Sequence, residues 1–302
     1  MTLSRQWSGD APFEEAWFVE LLLGPEQGFW LRFRIDATAR ELEVWAIATT
    51  PDGVVAAEKQ GFPLGPMDGL ASCAAARLER DRSVGEIGRI RWDLSFDDRG
   101  ARHAHLPLWF RALRVGKAYA PGVLDLRVRG EVFVDGKPWR VKRGPGIFGH
   151  HWGRRSRVER WAWGHCNAFD REDLVFEGLS AKIGPATFTS VVLLADGHAY
   201  RFSGLRHLLR TWSRTSEDTW AFEAREGDRV LTGRLVLDPA KAATVTYPTG
   251  GLGRTEVFCT NTRFGRIRLI LRDPTRGLDL DVRSRECAFE LVGPDALGEP
   301  VL

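Results

Sequence analysis

Cysteine is scarce in this chain, and its few cysteines form no recognisable metal or disulfide pattern. They lie far apart, without the C-x-x-C spacing of a zinc ribbon and without the density of a disulfide scaffold. The four are Cys73, Cys166, Cys259 and Cys287. A reduced, cytoplasmic compartment is therefore the expected location.

Long apolar runs are also missing. The longest extend over about half a dozen residues, whereas a membrane-spanning helix needs ~20. Residues 1–15 are polar and acidic, without the basic start and apolar stretch of a secretory signal. The sequence predicts no integral membrane segment.

An excess of charge of one sign is absent as well. The 43 Lys+Arg and 40 Asp+Glu leave a net charge of +3, whereas a protein that neutralises phosphates usually has a much larger basic excess. We therefore expect no nucleic-acid partner. With 43% apolar and 27% charged residues, the 302-residue chain has the composition of a globular protein and fits two average domains. The oligomeric state stays open.

Large aromatic residues are abundant by contrast. The chain has 12 Trp and 17 Phe beside only 3 Tyr. Such large flat side chains suit a wide apolar interior or an apolar pocket. An apolar small molecule is therefore the expected ligand.

Alternation of apolar and polar residues dominates the chain. In Gly28–Ile35, Leu31, Phe33 and Ile35 alternate with arginines, as in a strand with two unlike faces. The run Val123–Val134, followed by Asp135-Gly136, predicts a β-hairpin. Many short strands with regular turns and no βαβ alternation predict an antiparallel sandwich or barrel.

Helical signals are few. Met67–Asp81 has Leu70, Ala74 and Leu78 at a spacing of four, which predicts a short helix. Leu205–Trp212 is a second candidate for one or two helical turns. The predicted fold class is therefore all-β with few short helices.

A glycine-rich basic segment, Arg143–Arg157, is expected to break the strand pattern. We place the domain border near it, which gives an N-terminal barrel at residues 1–150 and a C-terminal barrel at residues 151–302. Gly144–Gly149 also matches G-x-G-x-x-G, but no amphipathic helix follows the glycines. Because a dinucleotide site needs that helix, we reject this interpretation.

The residues after these glycines resemble a known group of proteins. His150-His-Trp-Gly153 and Arg160-Trp-Ala-Trp-Gly-His-Cys-Asn-Ala-Phe169 resemble the junction motif of the tocopherol cyclase, carotenoid hydratase (hydroxyneurosporene synthase) and AttH-like families. Glu15-Ala-Trp-Phe-Val-Glu20 resembles their opening strands. The resemblance implies two lipocalin-like antiparallel β-barrels packed together. The motif then lies where the first barrel ends and the second begins.

One departure from the hydratase pattern concerns catalysis. That pattern, Gly-Tyr-x-Asp-x-Asn-x-Gly, carries the Asp that the resemblance implies as proton donor to a carbon–carbon double bond. Aligned on Gly146 and Gly153, this chain has Ile147, Gly149 and His151 at the Tyr, Asp and Asn positions. Because glycine cannot donate a proton, either another acid takes over, or the reaction differs, or the protein only binds.

Imidazoles and indoles near the motif are the candidate site residues. His150, His151 and His165 are candidate proton donors or positioning groups, and Glu177 is a carboxylate on a later strand. Indole rings stabilise a developing carbocation by about 0.5–2 kcal/mol each. The expected pocket-lining residues are Phe148, Trp152, Trp161, Trp163, Asn167 and Glu177. We expect no metal, because three converging ligands are not apparent, and no cofactor.

Each of these residues also has a structural interpretation. One ring of the His150-His151 pair can pack inward while the other is solvated, and Trp161 and Trp163 can serve core packing alone. Cys166 is a poor nucleophile candidate because its neighbour His165 points to the opposite face of a strand. His103 and His105 alternate to one face, which lies in the core, at the surface or at a pocket rim.

Three functions follow from these residues. The first is a cofactor-independent enzyme acting on an apolar isoprenoid- or polyketide-like molecule by proton-initiated cyclisation, isomerisation or hydration, which is isomerase or lyase chemistry. The second is a non-catalytic carrier of such a molecule. The third is a two-barrel scaffold.

Overall fold

The computed structural model of the chain is built mainly of β-strands. It describes residues 3–9, 11, 13–100, 102–103, 105, 117–153, 158, 160–183, 186–204, 207, 210–248 and 256–302. Over these residues it has no α-helix, and Pro239–Lys241 and Pro274–Arg276 form short 3₁₀ helices. The all-β prediction is confirmed. No helix in the described part of the chain is long and apolar enough to span a membrane.

The chain divides into two compact units. Unit 1 comprises Met1–Ala104, Leu108–Ser156 and Leu302, and unit 2 comprises His105–Pro107 and Arg157–Val301. Unit 2 is thus discontinuous, because it takes a short piece of chain from between two strands of unit 1.

Unit 1 is one ten-stranded antiparallel sheet in the order β4-β3-β2-β1-β10-β9-β8-β7-β6-β5. Its strands are β1 Glu14–Gly24, β2 Gln27–Asp36, β3 Glu41–Thr50, β4 Gly53–Pro63, β5 Ala71–Ser72, β6 Ala76–Leu78, β7 Arg82–Ile87, β8 Ile90–Asp98, β9 Lys117–Val134 and β10 Lys137–Gly153. The sheet is curled, as a contact between distant strands shows. Arg89, which follows β7, donates to Glu58 of β4 with Nε 3.1 Å from Oε1. The inner face buries Trp17, Phe33 and Trp92 in one core.

Unit 2 repeats this plan with a second antiparallel sheet in the order β14-β13-β12-β11-β20-β19-β17-β16-β15, and β18 pairs with β19. Its strands are β11 Trp161–Cys166, β12 Val175–Ile183, β13 Ala186–Ala195, β14 His198–Phe202, β15 Thr211–Thr215, β16 Thr219–Glu226, β17 Arg229–Val236, β18 Ala243–Pro248, β19 Glu256–Asp273 and β20 Leu278–Gly293. The edge strand β15 reaches β12, since Ser213 and Ser180 place their Oγ atoms 2.9 Å apart. Phe176 stacks on Phe222 inside the core of this unit.

The glycine-rich segment does not interrupt the sheet, so the break expected over Arg143–Arg157 is wrong for its described residues. Strand β10 runs through it from Lys137 to Gly153. A Cβ at Gly144 or Gly146 would overlap the backbone carbonyls of Leu22 and Glu20 on β1. The glycines therefore let two strands approach closely. The prediction that no helix opens directly after these glycines is confirmed, because β10 continues to Gly153.

The helix expected over Met67–Asp81 is also wrong. Two short strands, β5 and β6, occupy the region and pair with each other. Leu70 and Leu78 are buried but Ala74 is exposed, so the spacing of four does not mark one buried face. Half of the second candidate helix, Leu205–Trp212, lies outside the described residues, and strand β15 begins at Thr211.

The predicted hairpin is confirmed. Strands β9 and β10 pair directly at Val134 and Lys137, and Asp135 and Gly136 form the turn with φ of 50° and 76°. Two successive positive φ angles match a type I′ turn, whose twist suits an antiparallel pair.

Candidate functional site

His150 and His151 occupy opposite faces of β10. His150 is fully buried and stacks on Trp17, with ring centroids 5.0 Å apart, and its ring also lies 4.5 Å from that of Trp152. Its Nε2 is 2.7 Å from Glu15 Oε1. The inward histidine is therefore one half of a buried imidazole–carboxylate pair in unit 1.

Glu15 also holds the start of the chain. Its carboxylate oxygens accept the backbone N–H groups of Gln6 and Trp7 at 2.7 and 2.8 Å. Next to it, Trp17 donates its indole N–H to the carbonyl of Leu3 at 2.8 Å. The Glu15–His150 pair therefore anchors the N-terminal segment, Leu3–Gly9, to the interior of unit 1.

His151 lies on the other face of the same sheet, beside a buried arginine. Its Nε2 is 3.4 Å from a terminal guanidinium nitrogen of Arg32. The Arg32 guanidinium lies over the Trp45 ring at 4.9 Å from its centroid, and Trp30 meets Trp45 edge-on at 6.4 Å. This face thus combines indoles with two cationic or protonatable groups.

The Gly149 position, where the hydratase pattern has its Asp, lies on that same face and is covered. A Cβ at Gly149 would overlap the ring of Phe18 from β1. Phe18 in turn stacks on Tyr119 at 6.2 Å. The neighbouring aromatic ring leaves no space for a carboxylate at position 149.

A buried ion network stands further along this face. Arg34 donates to Glu14 and Asp36 at 2.8 Å each and to Glu43 at 2.5 Å. Burial raises the pKa of Glu43, but the charge and hydrogen bond of Arg34, together with those of Lys59, lower it by more, so the net pKa lies below its usual 4.5. Each charge of this network thus has an opposite charge beside it.

In unit 2, a second buried imidazole–carboxylate pair involves Glu177 of β12. His105 Nε2 lies 2.6 and 2.8 Å from the two carboxylate oxygens, and both side chains are fully buried. Trp163 of β11 donates its indole N–H to Oε1 at 3.0 Å. The carboxylate is thus oriented by two ring N–H groups.

His165 belongs to the same group of side chains. It is paired directly with Glu177 across β11 and β12, so the two side chains share one face of the sheet. It is fully buried, and its ring stacks on Trp163 at 6.4 Å with an interplanar angle of 11°. We refer to His105, Trp163, His165 and Glu177 as the Glu177 cluster.

The remaining predicted residues lie outside this cluster. Trp161 is half-buried, donates to Glu290 at 2.5 Å and stacks on Tyr247. Asn167 is buried just after β11. Phe148 packs edge-on against Phe96 in the core of unit 1. Cys166 is buried in the core of unit 2.

Comparison with solved structures finds the same architecture along nearly the whole chain. An AttH-like protein from Nitrosomonas europaea matches with a TM-score of 0.55 at 13% identity, over 98% of this chain and 100% of its own. CghA, solved with Sch210972, gives 0.60 at 13% identity over 95% and 89%, and kievitone hydratase from Nectria haematococca gives 0.55 at 8% over 94% and 89%. This chain has their fold.

The resemblance based on the junction motif is thereby confirmed at the level of the fold, a pair of lipocalin-like sheets. No protein-family profile and no curated protein sequence matches the chain.

Two of the acid–base partners were missed from the sequence. Glu15 is a carboxylate at an inward position of β1, among Trp17, Val19 and Leu21, and an acid in an apolar alternation is a signal that it has a buried partner. The sequence left His105 open between the core, the surface and a pocket rim, and the structure places it in the interior. His103, His105 and Glu177 are all buried and bring one ligand atom each within 4.8 Å of one another. Three is the number of protein ligands in a catalytic zinc site, so the premise that three metal-ligand groups do not converge is wrong.

Proposed function

We propose that this protein is a cofactor-independent enzyme that transfers a proton to an apolar, isoprenoid- or polyketide-like small molecule. The reaction would be a cyclisation, an isomerisation or a hydration. The observation that carries the proposal is the Glu177 cluster, in which a fully buried carboxylate is held by His105 and Trp163 and faces His165.

The chemistry of this cluster suits proton transfer. His105 Nε2 lies 2.6 Å from the buried Glu177 carboxylate, within hydrogen-bond distance, and such a partner offsets the cost of burying a polar group. His165 is the group that would pass a proton to the substrate or position it. Such general acid catalysis typically accelerates a reaction by about 10²–10⁴-fold.

Indole rings supply the second requirement, a surface that tolerates a carbocation. Trp163 stacks beside His165, and each such ring stabilises a nearby cation by about 0.5–2 kcal/mol. Trp161 and Asn167 extend the proposed lining in unit 2, and Trp152 and Phe148 that in unit 1. His150 and His151 stay proposed proton donors on the faces of β10 described above.

The likeness to known proteins supports the class of substrate. One protein of the same fold is named kievitone hydratase, and another was solved with Sch210972. We carry over from these only the class, a small-molecule ligand or substrate.

The proposal also covers the cellular compartment and the domain border. The four cysteines are free thiols, which supports a reducing, cytoplasmic compartment. We also propose a domain border near residue 150, with domains at residues 1–150 and 151–302, and no nucleic-acid partner.

Deuterium incorporation tests the enzyme proposal. The protein is incubated in D₂O with a panel of prenylated phenols and linear polyenes, and the products are followed by mass spectrometry. Cyclisation or isomerisation should place one deuterium on carbon per turnover. Glu177→Gln should lower the turnover at least 100-fold, while ligand affinity, followed by tryptophan quenching, changes little. Glu131→Gln, on the β9 side of the hairpin, is the matched control and should behave as wild type.

A carrier is the second candidate, and the covered Gly149 favours it. A carrier would bind members of the panel without incorporating deuterium, and Trp163→Ala would weaken that binding. If the protein neither binds nor converts any of them, only the scaffold interpretation is left and both proposals fail.

A further inference from the structure

A row of arginines crosses the exposed face of unit 2. Arg234, Arg268 and Arg283 are direct cross-strand partners on β17, β19 and β20, so their side chains share one face. Arg266 and Arg285 extend the row at positions two residues along their strands. These five exposed residues line a shallow groove of about 540 Å³, together with Thr232 and Ser284.

Few acidic side chains neutralise the arginines of this groove. Asp281 accepts from Arg268 at 2.6 Å and lies 3.8 Å from Arg283. Arg234, Arg266 and Arg285 make no ion pair with any described residue. Like charges that face each other across strands are destabilising, so five guanidinium groups beside one carboxylate form a patch that an external anion would stabilise.

An exposed indole lies on the same face. The cross-strand row continues from Arg234 through Ala221 to Arg214 on β15. Two residues before Arg214 stands Trp212, which is 57% exposed, beside Glu223, which accepts from Arg225. Tryptophan combines an apolar body with a polar N–H and is enriched where protein meets the headgroups of a bilayer.

We propose that this arginine face docks the protein on an anionic phospholipid bilayer. Guanidinium groups bind phosphates through two parallel hydrogen bonds, and an array spread over three strands suits headgroups in a plane. Single-stranded RNA is less well matched, because such sites interleave several stacking aromatics with the charges. The proposal rests on the proposed function in one respect: an apolar substrate is held mainly in membranes, so docking gives access to it.

Vesicle co-sedimentation tests the docking. The wild-type protein should partition onto vesicles containing phosphatidylglycerol and not onto pure phosphatidylcholine, and high salt should release it. Arg234→Gln/Arg266→Gln/Arg285→Gln, which breaks no ion pair, should lower the partition coefficient roughly 100-fold, at about fivefold for each arginine near an anionic surface. The control variant, Arg91→Gln/Arg129→Gln/Arg140→Gln, removes the same charge from exposed positions of unit 1. It should lower the partition coefficient less than threefold.

A second measurement tests whether the Trp212 indole contacts the bilayer. Trp212→Ser should weaken vesicle binding severalfold, and brominated lipids should quench wild-type fluorescence more than that of this variant. Equal vesicle binding by the two triple variants would overturn the proposal. Binding of a uridine homopolymer in place of vesicles would also overturn it.

The outcome is separable from that of the enzyme proposal. Vesicle binding does not require turnover, and the groove variant should convert a detergent-dispersed substrate as fast as wild type. Loss of deuterium incorporation with intact vesicle binding would remove the enzyme proposal alone.

Discussion

Buried ionisable side chains are the main feature of this protein at the scale of single residues. Arg34, with its three carboxylates, and the Glu15–His150 and Glu177–His105 pairs all lie where water is excluded. Removal of one partner from such a group leaves an uncompensated buried charge, which costs more than the pair itself contributes.

Arg34→Met should therefore destabilise unit 1 strongly. It leaves Glu14, Asp36 and Glu43 buried together without their shared cation, at a cost of about 3–5 kcal/mol. Thermal and urea unfolding measure the loss. The comparison variant is Arg82→Met, whose ion pair with Asp93 is half-exposed on both sides and whose removal should hardly change the Tm. Equal shifts for the two variants would contradict this prediction.

The same network predicts a dependence on acid. Because the pKa of Glu43 in the folded protein lies below its usual 4.5, the carboxylate contributes stability that is complete above the unfolded-state pKa. That contribution is lost as the pH falls through the folded-state pKa. Urea unfolding at neutral pH and near pH 4 should show the loss in wild type and a smaller one in Glu43→Gln. A steeper loss in the variant would contradict the assignment.

The close approach of the Phe18 ring to Gly149 leads to a prediction about stability. Gly149→Ala forces its methyl group into the Phe18 ring, which should cost about 1–3 kcal/mol, as overpacking does. Phe18→Ala makes room, so the double variant should lose less stability than the sum of the two single variants. Additive losses in this double-mutant cycle would show that the two side chains do not meet.

At the scale of elements, periodicity predicted most strands, but local patterns failed in two places. The leucines of Met67–Asp81 have helical spacing, yet Leu70 and Leu78 are buried by hairpin pairing with Ala74 exposed between them. The glycines of β10 were expected to break a strand, yet they admit the carbonyls of β1. Both depend on which strand lies alongside, and a single segment does not contain that information.

The N-terminal segment provides the element-scale prediction. Glu15→Ala removes both acceptors that hold the amides of Gln6 and Trp7. Hydrogen exchange at these two amides should accelerate at least tenfold, while the amides of β2 and β3 stay protected. Glu26→Ala, in the turn between β1 and β2, is the control. Unchanged exchange at Gln6 and Trp7 would show that another group holds the segment.

At the scale of the whole molecule, the discontinuity of unit 2 matters most. His105 comes from the chain between β8 and β9, yet it belongs to unit 2 and pairs with Glu177, 72 residues later. Glu15 and His150 are 135 residues apart. Candidate residues such as Glu177 and His165 could be named from the sequence, but their partners are set by the register of distant strands.

The discontinuity predicts that unit 2 is incomplete when expressed as Arg157–Leu302. Its Glu177 would lack His105, a loss of about 3–5 kcal/mol for a broken buried pair. His105→Ala in the full chain should reproduce most of this loss in urea unfolding. If the fragment unfolds at the same urea concentration as the full-length protein, His105 is not needed for the stability of unit 2.

The contact between Phe18 and Gly149 also constrains how this protein could change over evolutionary time. An aspartate at position 149 would bring a carboxylate to this face of β10. The Phe18 ring occupies that space, however, so a smaller side chain at position 18 would be needed to relieve the overlap. Substitution at position 18 before position 149 therefore avoids the less stable intermediate that would hold both the ring and the added side chain.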